Sequence, residues 1–146
     1  MNTYIIRTDG GARGNPGPAA LGAVIENDKG MVLKEVSEYI GEKTNNEAEY
    51  RAPIEALKKL RALIGKTQAK KSEVNIYADS ELMVKQMNGQ YKIENEKMQK
   101  FFLELWNLKL DFRKVTFQSV PREQNKAADR LVNEALDFQS KPGKLF

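Results

Sequence analysis

The order of strand-like and helix-like segments constrains the fold of this chain more than any other feature. Residues 3–9, 19–27 and 31–40 are rich in β-branched and aromatic side chains and are separated by short glycine-containing turns, which predicts three strands in a meander. Residues 73–79 and 114–120 predict two more strands, separated by helical patterns. Because strands joined through helices pair in parallel by right-handed crossovers, these two should join the first strand in parallel. The order βββαβααβα therefore predicts an α/β fold with a mixed five-stranded sheet, antiparallel for strands 1–3, parallel for strands 1, 4 and 5, and flanked by helices.

The first helix is predicted to begin at Thr44. Thr44 and Glu47 have the spacing of a capping box, T-N-N-E, and small or apolar residues then recur at helical intervals. This apolar stripe consists of Ala48, Ala52, Ala56, Leu60 and Leu63. The segment that follows, residues 65–72 (GKTQAKKS), is predicted to be a basic loop.

Pro53 conflicts with this helix. A proline inside a helix removes one backbone hydrogen bond and crowds the carbonyl four residues earlier, which here belongs to Glu49. The sequence therefore predicts either that the helix kinks at Pro53 or that Pro53 is an introduced change that perturbs the site at Glu49.

The chain contains neither Cys nor His, and this limits its chemistry. Without Cys it has no disulfides and no cysteine zinc sites, and without His it has no imidazole bases, Ser-His-Asp triads or histidine metal ligands. Hydrolytic chemistry would have to use carboxylates, Lys, Tyr, hydroxyls or a metal held by oxygen, and Asp and Glu favour Mg²⁺ and Mn²⁺. The net charge of +4 suits a polyanionic partner but is common among globular proteins.

Two carboxylates, Asp9 and Asp79, end predicted buried strands. If those strands are parallel neighbours, both side chains emerge at the same edge of the sheet, where α/β folds bind ligands. Glu49 and Asp129 fall in the first turns of predicted helices, where the helix dipole favours acidic residues. Turn and helix-end chemistry is an alternative explanation for each acid alone, and spacing does not bring all four together.

Four motifs follow one another along nearly the whole chain. They are D-G-G-A-R-G-N-P-G (9–17), T-N-N-E-A-E-Y (44–50), A-D-S (78–80) and N-K-A-A-D-R-L (125–131). In this order they resemble type 1 ribonuclease H, and in particular its compact archaeal and bacterial branch. The resemblance implies a ribonuclease H-like fold and hydrolysis of the RNA strand of RNA–DNA hybrids.

The resemblance also implies a site. Asp9, Glu49, Asp79 and Asp129 match the catalytic carboxylates of the family, whereas Glu47 falls at a variable position. The family uses two divalent cations, Mg²⁺ or Mn²⁺, in an in-line displacement that leaves 5′-phosphate and 3′-hydroxyl ends. We expect Asp9 to bridge both ions, Glu49 and Asp79 to hold one, and Asp129 to hold the other.

Residues that recognise the hybrid are implied in the same way. Asn15, Asn45 and Asn46 match family positions that contact the minor groove, where amides can both donate and accept hydrogen bonds. Thr44 is expected to cap its helix and to touch a DNA phosphate, and Arg13 is a weaker phosphate candidate. Turn and cap chemistry remains the alternative for the three Asn residues.

The sequence departs from the family pattern in two places. Many relatives carry a His in the loop before the last catalytic Asp, but residues 120–125 (VPREQN) contain none. Arg122 or Glu123 could take part of that role, or the loop could be an ordinary polar one. Some relatives also have a Gln that contacts the hybrid where this chain has Glu81, which leaves that contact in doubt.

Two other functions remain open at this stage. One is a different nuclease or strand-transfer enzyme of the same fold, and the other is a hybrid-binding module without catalysis. Some relatives also cut double-stranded RNA. We expect one domain over residues 1–138, followed by a polar tail over 139–146. No apolar run approaches the roughly 18 residues of a membrane span, so we expect a cytoplasmic protein. We also expect it to be a monomer.

Overall fold

The computed structural model of the chain describes residues 2–140. The strands are β1 (Thr3–Ala12), β2 (Gly17–Asn27), β3 (Val32–Lys43), β4 (Glu73–Ala78) and β5 (Lys114–Ser119). The helices are α1 (Asn45–Ile64), α2 (Lys66–Lys70), α3 (Glu81–Met87), α4 (Glu96–Lys109) and α5 (Lys126–Ser140), with a 3₁₀ turn over Arg122–Gln124. The sheet order is β3-β2-β1-β4-β5, with β1–β2–β3 antiparallel and β1–β4–β5 parallel. The predicted mixed five-stranded sheet is confirmed.

The centre of the sheet differs from the prediction in one respect. β1 does not end at Asp9 but runs on to Ala12, because its second half stays paired with β2 after its parallel pairing with β4 has ended. The last parallel pair is Thr8 with Ala78. Asp9 on β1 and Asp79 directly after β4 each follow this last pair, so both stand at the edge where the parallel ladder opens.

Helices cover both faces of the sheet. Four residues of the predicted α1 stripe, Ala48, Ala52, Ala56 and Leu60, are fully buried. Leu63, predicted as the fifth, lies in the last turn of α1 and is 51% exposed. A smaller apolar cluster of Ala20, Val132 and Leu136 lies under α5. The two carboxylate-bearing helices α1 and α5 thus approach the sheet from opposite sides.

Three further expectations need correction. The predicted basic loop at 65–72 contains the short helix α2, whose Ala69 is buried. The helical spacing of Phe101, Phe102 and Trp106 predicts that all three lie in the core, but Trp106 is 40% exposed. It stacks on Phe102 at a centroid distance of 5.7 Å, and Lys109 lies over its ring. Residues 139 and 140, expected to begin the tail, are the last residues of α5, and the rest of that tail lies outside the described residues.

Pro53 lies inside α1, which is assigned as one helix from Asn45 to Ile64. The proline side chain is buried, so its ring contributes to packing even though its nitrogen cannot donate to the carbonyl of Glu49. Within residues 2–140, no helix is long and apolar enough to cross a membrane.

Candidate active site

A large cavity, the main cavity of the site, opens at the edge of the sheet where Asp9 and Asp79 stand. It has a volume of about 820 Å³ and is lined by carboxylates from four separate elements. These are Asp9 on β1, Glu49 on α1, Asp79 directly after β4, and Asp129 on α5. The four acids singled out from the sequence are therefore brought to one cleft.

Glu49 reaches the cleft because α1 lies directly on β1 at Gly10. A Cβ atom at Gly10 would lie 2.3 Å from the carbonyl carbon of Ala48 and 2.6 Å from the backbone nitrogen of Glu49. Real side chains do not tolerate such distances, so only glycine allows this approach. The glycine after Asp9 thus sets how close Glu49 comes to the strand that carries Asp9.

Asp129 reaches the cleft by the same device on the other face. Gly22 is the register partner of Asp9 across the β1–β2 ladder, and a Cβ there would lie 2.4 Å from the carbonyl oxygen of Ala128. Ser37, the partner of Gly22 on β3, donates from its hydroxyl to the carbonyl of Leu131 at 2.6 Å. The first turns of α5 are therefore pressed onto the row of the sheet that contains Asp9.

The carboxylate of Asp129 has two polar neighbours. Asn133, one turn later on α5, donates to its Oδ2 at 3.4 Å, and the exposed guanidinium of Arg122 lies 3.6 Å from its Oδ1. Arg122 belongs to the loop that lacks the family's His. A positive charge therefore stands beside Asp129 in this loop.

Burial and mutual repulsion raise the pKa of two acids in the cleft. For Asp9, burial is the largest cause, followed by the charges of Asp79 and Asp129, and together they raise the pKa to about 8 even though the backbone N–H of Gly10 donates to its Oδ1. For Glu49, burial raises the pKa and the charge of Asp79 adds to it, while a hydrogen bond with Ser80 opposes the shift. Ionisation of Asp9 is thus unfavourable beside its neighbours.

The donor set of the cleft fits hard divalent cations. Its four carboxylates offer oxygen ligands, which Mg²⁺ and Mn²⁺ prefer. Among residues 2–140, no group of three or more acidic side chains is already arranged to coordinate a metal ion. The repulsion that raises the pKa of Asp9 is a penalty that a divalent cation would offset, so cation binding and ionisation of Asp9 favour each other.

Two of the residues expected to contact substrate, Asn15 and Asn45, hold the glycine-rich loop onto the start of α1. The Oδ1 of Asn15 accepts from the backbone N–H of Asn45 at 3.0 Å, and the Oδ1 of Asn45 accepts from the backbone N–H of Ala12 at 2.8 Å. Asn45 lines the main cavity. Both residues thus have the turn and cap role that the sequence left open, and they use their side-chain oxygens for it. Their Nδ2 groups take no part in these bonds.

The other three candidates are more scattered. Thr44 caps α1 by accepting from the N–H of Glu47 at 3.2 Å. Asn46 is exposed and lines a second, smaller cavity of about 210 Å³ that also contains Glu49. Arg13 lines the main cavity but donates to Asp137 at 2.7 Å on α5, so its guanidinium is partly committed within the chain.

The sequence interpretation missed several residues of the site. Ser80 and Asn133 contact the acids, and the second could have been found because it follows Asp129 by one helical turn. Gly10 and Gly22 could have been found as glycines inside strands, which often mark a close backbone approach. The position of Glu47 near the start of α1 predicts a solvated charge, but Glu47 is buried and accepts from Lys97 of α4 at 3.2 Å.

Comparisons with known proteins give consistent results. The family model described as "Reverse transcriptase-like" matches residues 7–135. A ribonuclease H of Erythrobacter litoralis is 36% identical over 96% of this chain and 100% of its own length. A bifunctional protein of Mycobacterium tuberculosis is 42% identical over 91% of the chain, which spans only 35% of that protein. Among solved structures, LC11-RNase H1 in complex with an RNA/DNA hybrid has a TM-score of 0.89 and 46% identity, with 94% of this chain and 99% of that chain covered.

Proposed function

Because this chain belongs to the ribonuclease H family, we propose that it is an endonuclease that hydrolyses the RNA strand of RNA–DNA hybrids. The observation that carries the proposal is the convergence of Asp9, Glu49, Asp79 and Asp129 on one cleft from four elements. A similar solved structure, LC11-RNase H1, is described in complex with an RNA/DNA hybrid, which supports the same class of substrate here.

The cofactors proposed are two divalent cations, Mg²⁺ or Mn²⁺. Asp9, Glu49 and Asp79 would hold one ion, and Asp9 with Asp129 the other. When bound, such ions help to activate the attacking water and stabilise the leaving oxygen of an in-line displacement. The expected products carry 5′-phosphate and 3′-hydroxyl ends.

The chain itself contributes the carboxylates of the cleft and limits which groups can transfer a proton. Glu49 and Asp129 approach Asp9 from opposite faces, so the scissile phosphate would be met by carboxylates on both sides. Because the chain has no His, we propose that a carboxylic acid of the cleft or water transfers the proton to the leaving group. The guanidinium of Arg122 lies 3.6 Å from Asp129, which makes Arg122 our candidate for helping product release.

Recognition of the RNA strand is assigned to amides beside the cleft. Asn15 and Asn45 use their carbonyl oxygens internally, so we propose that each offers its Nδ2 as a donor to an oxygen acceptor. A 2′-hydroxyl oxygen is such an acceptor and is present only in RNA. Asn46, Thr44 and Arg13 would contribute at the margins of this surface, with Thr44 and Arg13 directed to phosphates.

Several finer points belong to the same proposal. All four acids of the cleft come from one chain, which supports a monomeric enzyme. We also propose that the protein acts in the cytoplasm. Cleavage of double-stranded RNA is proposed as a side activity. The catalytic domain, expected over residues 1–138, is proposed to continue to the end of α5 at Ser140.

The decisive experiment compares substrates and a single variant. Wild type and Asp79→Asn are incubated with RNA–DNA hybrid, duplex DNA and duplex RNA, with and without Mg²⁺. We expect hybrid cleavage only for wild type with Mg²⁺, with 5′-phosphate ends on the fragments. Preferential cleavage of duplex DNA would favour another nuclease of this fold, and hybrid binding without any cleavage would favour a non-catalytic module.

A further inference from the structure

Asn125 connects the backbone beside Asp9 to the backbone of Asp129. Its side chain is only 1% exposed, and its Nδ2 donates to the carbonyl of Thr8, the residue before Asp9, at 2.8 Å. Its own backbone carbonyl accepts from the N–H of Asp129 at 3.1 Å. Asn125 is thus hydrogen-bonded both to Thr8, the neighbour of Asp9, and to the backbone of Asp129.

The orientation of this amide distinguishes it from an ordinary helix cap. An Asn that precedes a helix normally uses its side-chain oxygen to accept a hydrogen bond from an N–H of the first turn. In Asn125 the Oδ1 has no hydrogen-bond partner within residues 2–140, although it is buried. The side chain therefore donates to β1 and does not cap α5. This arrangement carries a cost in free energy, because Oδ1 is buried without a hydrogen bond.

Other contacts between α5 and the sheet lie further along the helix. The bond from Ser37 reaches Leu131, and the close approach at Gly22 involves Ala128. The hydrogen bond of Asn125 comes before both of these contacts in the chain, and it ends on β1 itself at the residue next to Asp9. It therefore links the strand of Asp9 directly to the start of α5, in addition to the close approach of Ala128 to Gly22.

We propose that Asn125 is a positioning residue that holds Asp129 at a set distance from Asp9, so that the pair can share divalent cations. This inference rests on the proposed function, because it concerns the same cleft. Asn125 acts through the two backbone segments and is not proposed to touch the substrate. In metal sites, loss of a residue that orients a ligand commonly weakens metal binding by about 10- to 100-fold.

The test measures cation binding without substrate, together with steady-state kinetics. Mn²⁺ is titrated calorimetrically into wild type, Asn125→Ala and the control Asn88→Ala. Asn88 is a matched control because its Nδ2 also donates to a strand carbonyl, that of Phe117, at 3.2 Å. We expect Asn125→Ala to weaken Mn²⁺ binding and to lower kcat by about tenfold each with little change in KM, whereas Asn88→Ala changes neither.

A double variant tests whether Asn125 acts through Asp129. In an Asp129→Asn background, Asn125→Ala should weaken Mn²⁺ binding little further, because the ligand that it positions is already lost. A full additional loss, or wild-type Mn²⁺ binding and kcat in Asn125→Ala, would overturn the proposal and leave Asn125 a purely structural residue. If Asn125→Ala does not fold, Asn125→Ser is measured against the same criteria.

The two proposals fail in different ways. Wild-type protein that binds Mn²⁺ but cleaves no hybrid would refute the proposed function, while the Mn²⁺ titrations would still decide the role of Asn125. Conversely, hybrid cleavage by wild type with unaltered Mn²⁺ binding in Asn125→Ala would refute only the positioning role.

Discussion

Gly22 stands directly opposite Asp9 in the β1–β2 ladder, and the backbone of α5 occupies the space where a side chain of Gly22 would be. A Cβ there would lie 2.4 Å from the carbonyl oxygen of Ala128, which is the residue before Asp129. Because Gly22 has no side chain, the backbone next to Asp129 lies directly against the residue that pairs with Asp9.

We therefore expect Gly22→Ala to push α5 away from the sheet. The overpacking should lower the free energy of unfolding by about 1–3 kcal/mol and reduce hybrid cleavage through displacement of Asp129. Urea unfolding and initial rates check this. Gly11→Ala is the control for stability, because a Cβ at Gly11 would meet only Val132 Cγ1 at an ordinary 3.8 Å. Equal losses in the two variants would contradict the close-approach argument.

The raised pKa of Asp9 predicts a pH dependence of stability in the presence of a chelator. The pKa of about 8 in the folded state lies above the ordinary value of 3.8, so between these two pH values the folded state holds a proton that the unfolded chain has released. This contribution is complete below about pH 4 and is lost as the pH rises through 8. No His titrates in this window, because the chain has none.

We expect the melting temperature in EDTA to fall from pH 5 to pH 9 in wild type and to fall less steeply in Asp9→Asn, which cannot ionise. Differential scanning calorimetry across this range measures both slopes. Some slope should remain in the variant, since the pKa of Glu49 is also raised. Parallel curves for the two proteins would show that Asp9 does not titrate as described.

Pro53 predicts a gain in stability on replacement. Pro53→Leu restores a backbone donor for the carbonyl of Glu49 and should raise the free energy of unfolding by about 1–3 kcal/mol. Because Pro53 is buried, Pro53→Ala serves as a companion that restores the same donor without a larger side chain. A gain in the Ala variant with a loss in the Leu variant would assign the difference to packing, and a fall in melting temperature for both would show that α1 accommodates the proline.

Arg122 is expected to affect turnover more than binding. Its guanidinium lies 3.6 Å from Asp129 and is 78% exposed, so it contributes little to the folded core. We expect Arg122→Ala to lower kcat about tenfold, equivalent to about 1.4 kcal/mol, with KM for hybrid changed much less. Arg122→Lys, which keeps the charge, should retain most of the rate. An unchanged kcat in Arg122→Ala would remove Arg122 from the mechanism.

Local patterns predicted what depends on neighbours in sequence. The capping pattern at Thr44 and the turn at Gly30, with its positive φ, appear as expected because a few adjacent residues determine them. Trp106 and Glu47 were interpreted wrongly, since their exposure depends on which element packs over them. Lys97, fifty residues away in sequence, covers Glu47, and no spacing rule within α1 indicates that contact.

The sequence by itself determined the order of the elements and the chemistry that they can carry. Alternation, helical spacing and crossover handedness lead to one mixed sheet, and the lack of His and Cys leaves oxygen ligands for a metal. Only the tertiary structure decided how close the acids stand and how strongly Asp9 holds its proton. Both quantities depend on α1 and α5 lying against Gly10 and Gly22, since desolvation and repulsion arise from residues distant in the chain.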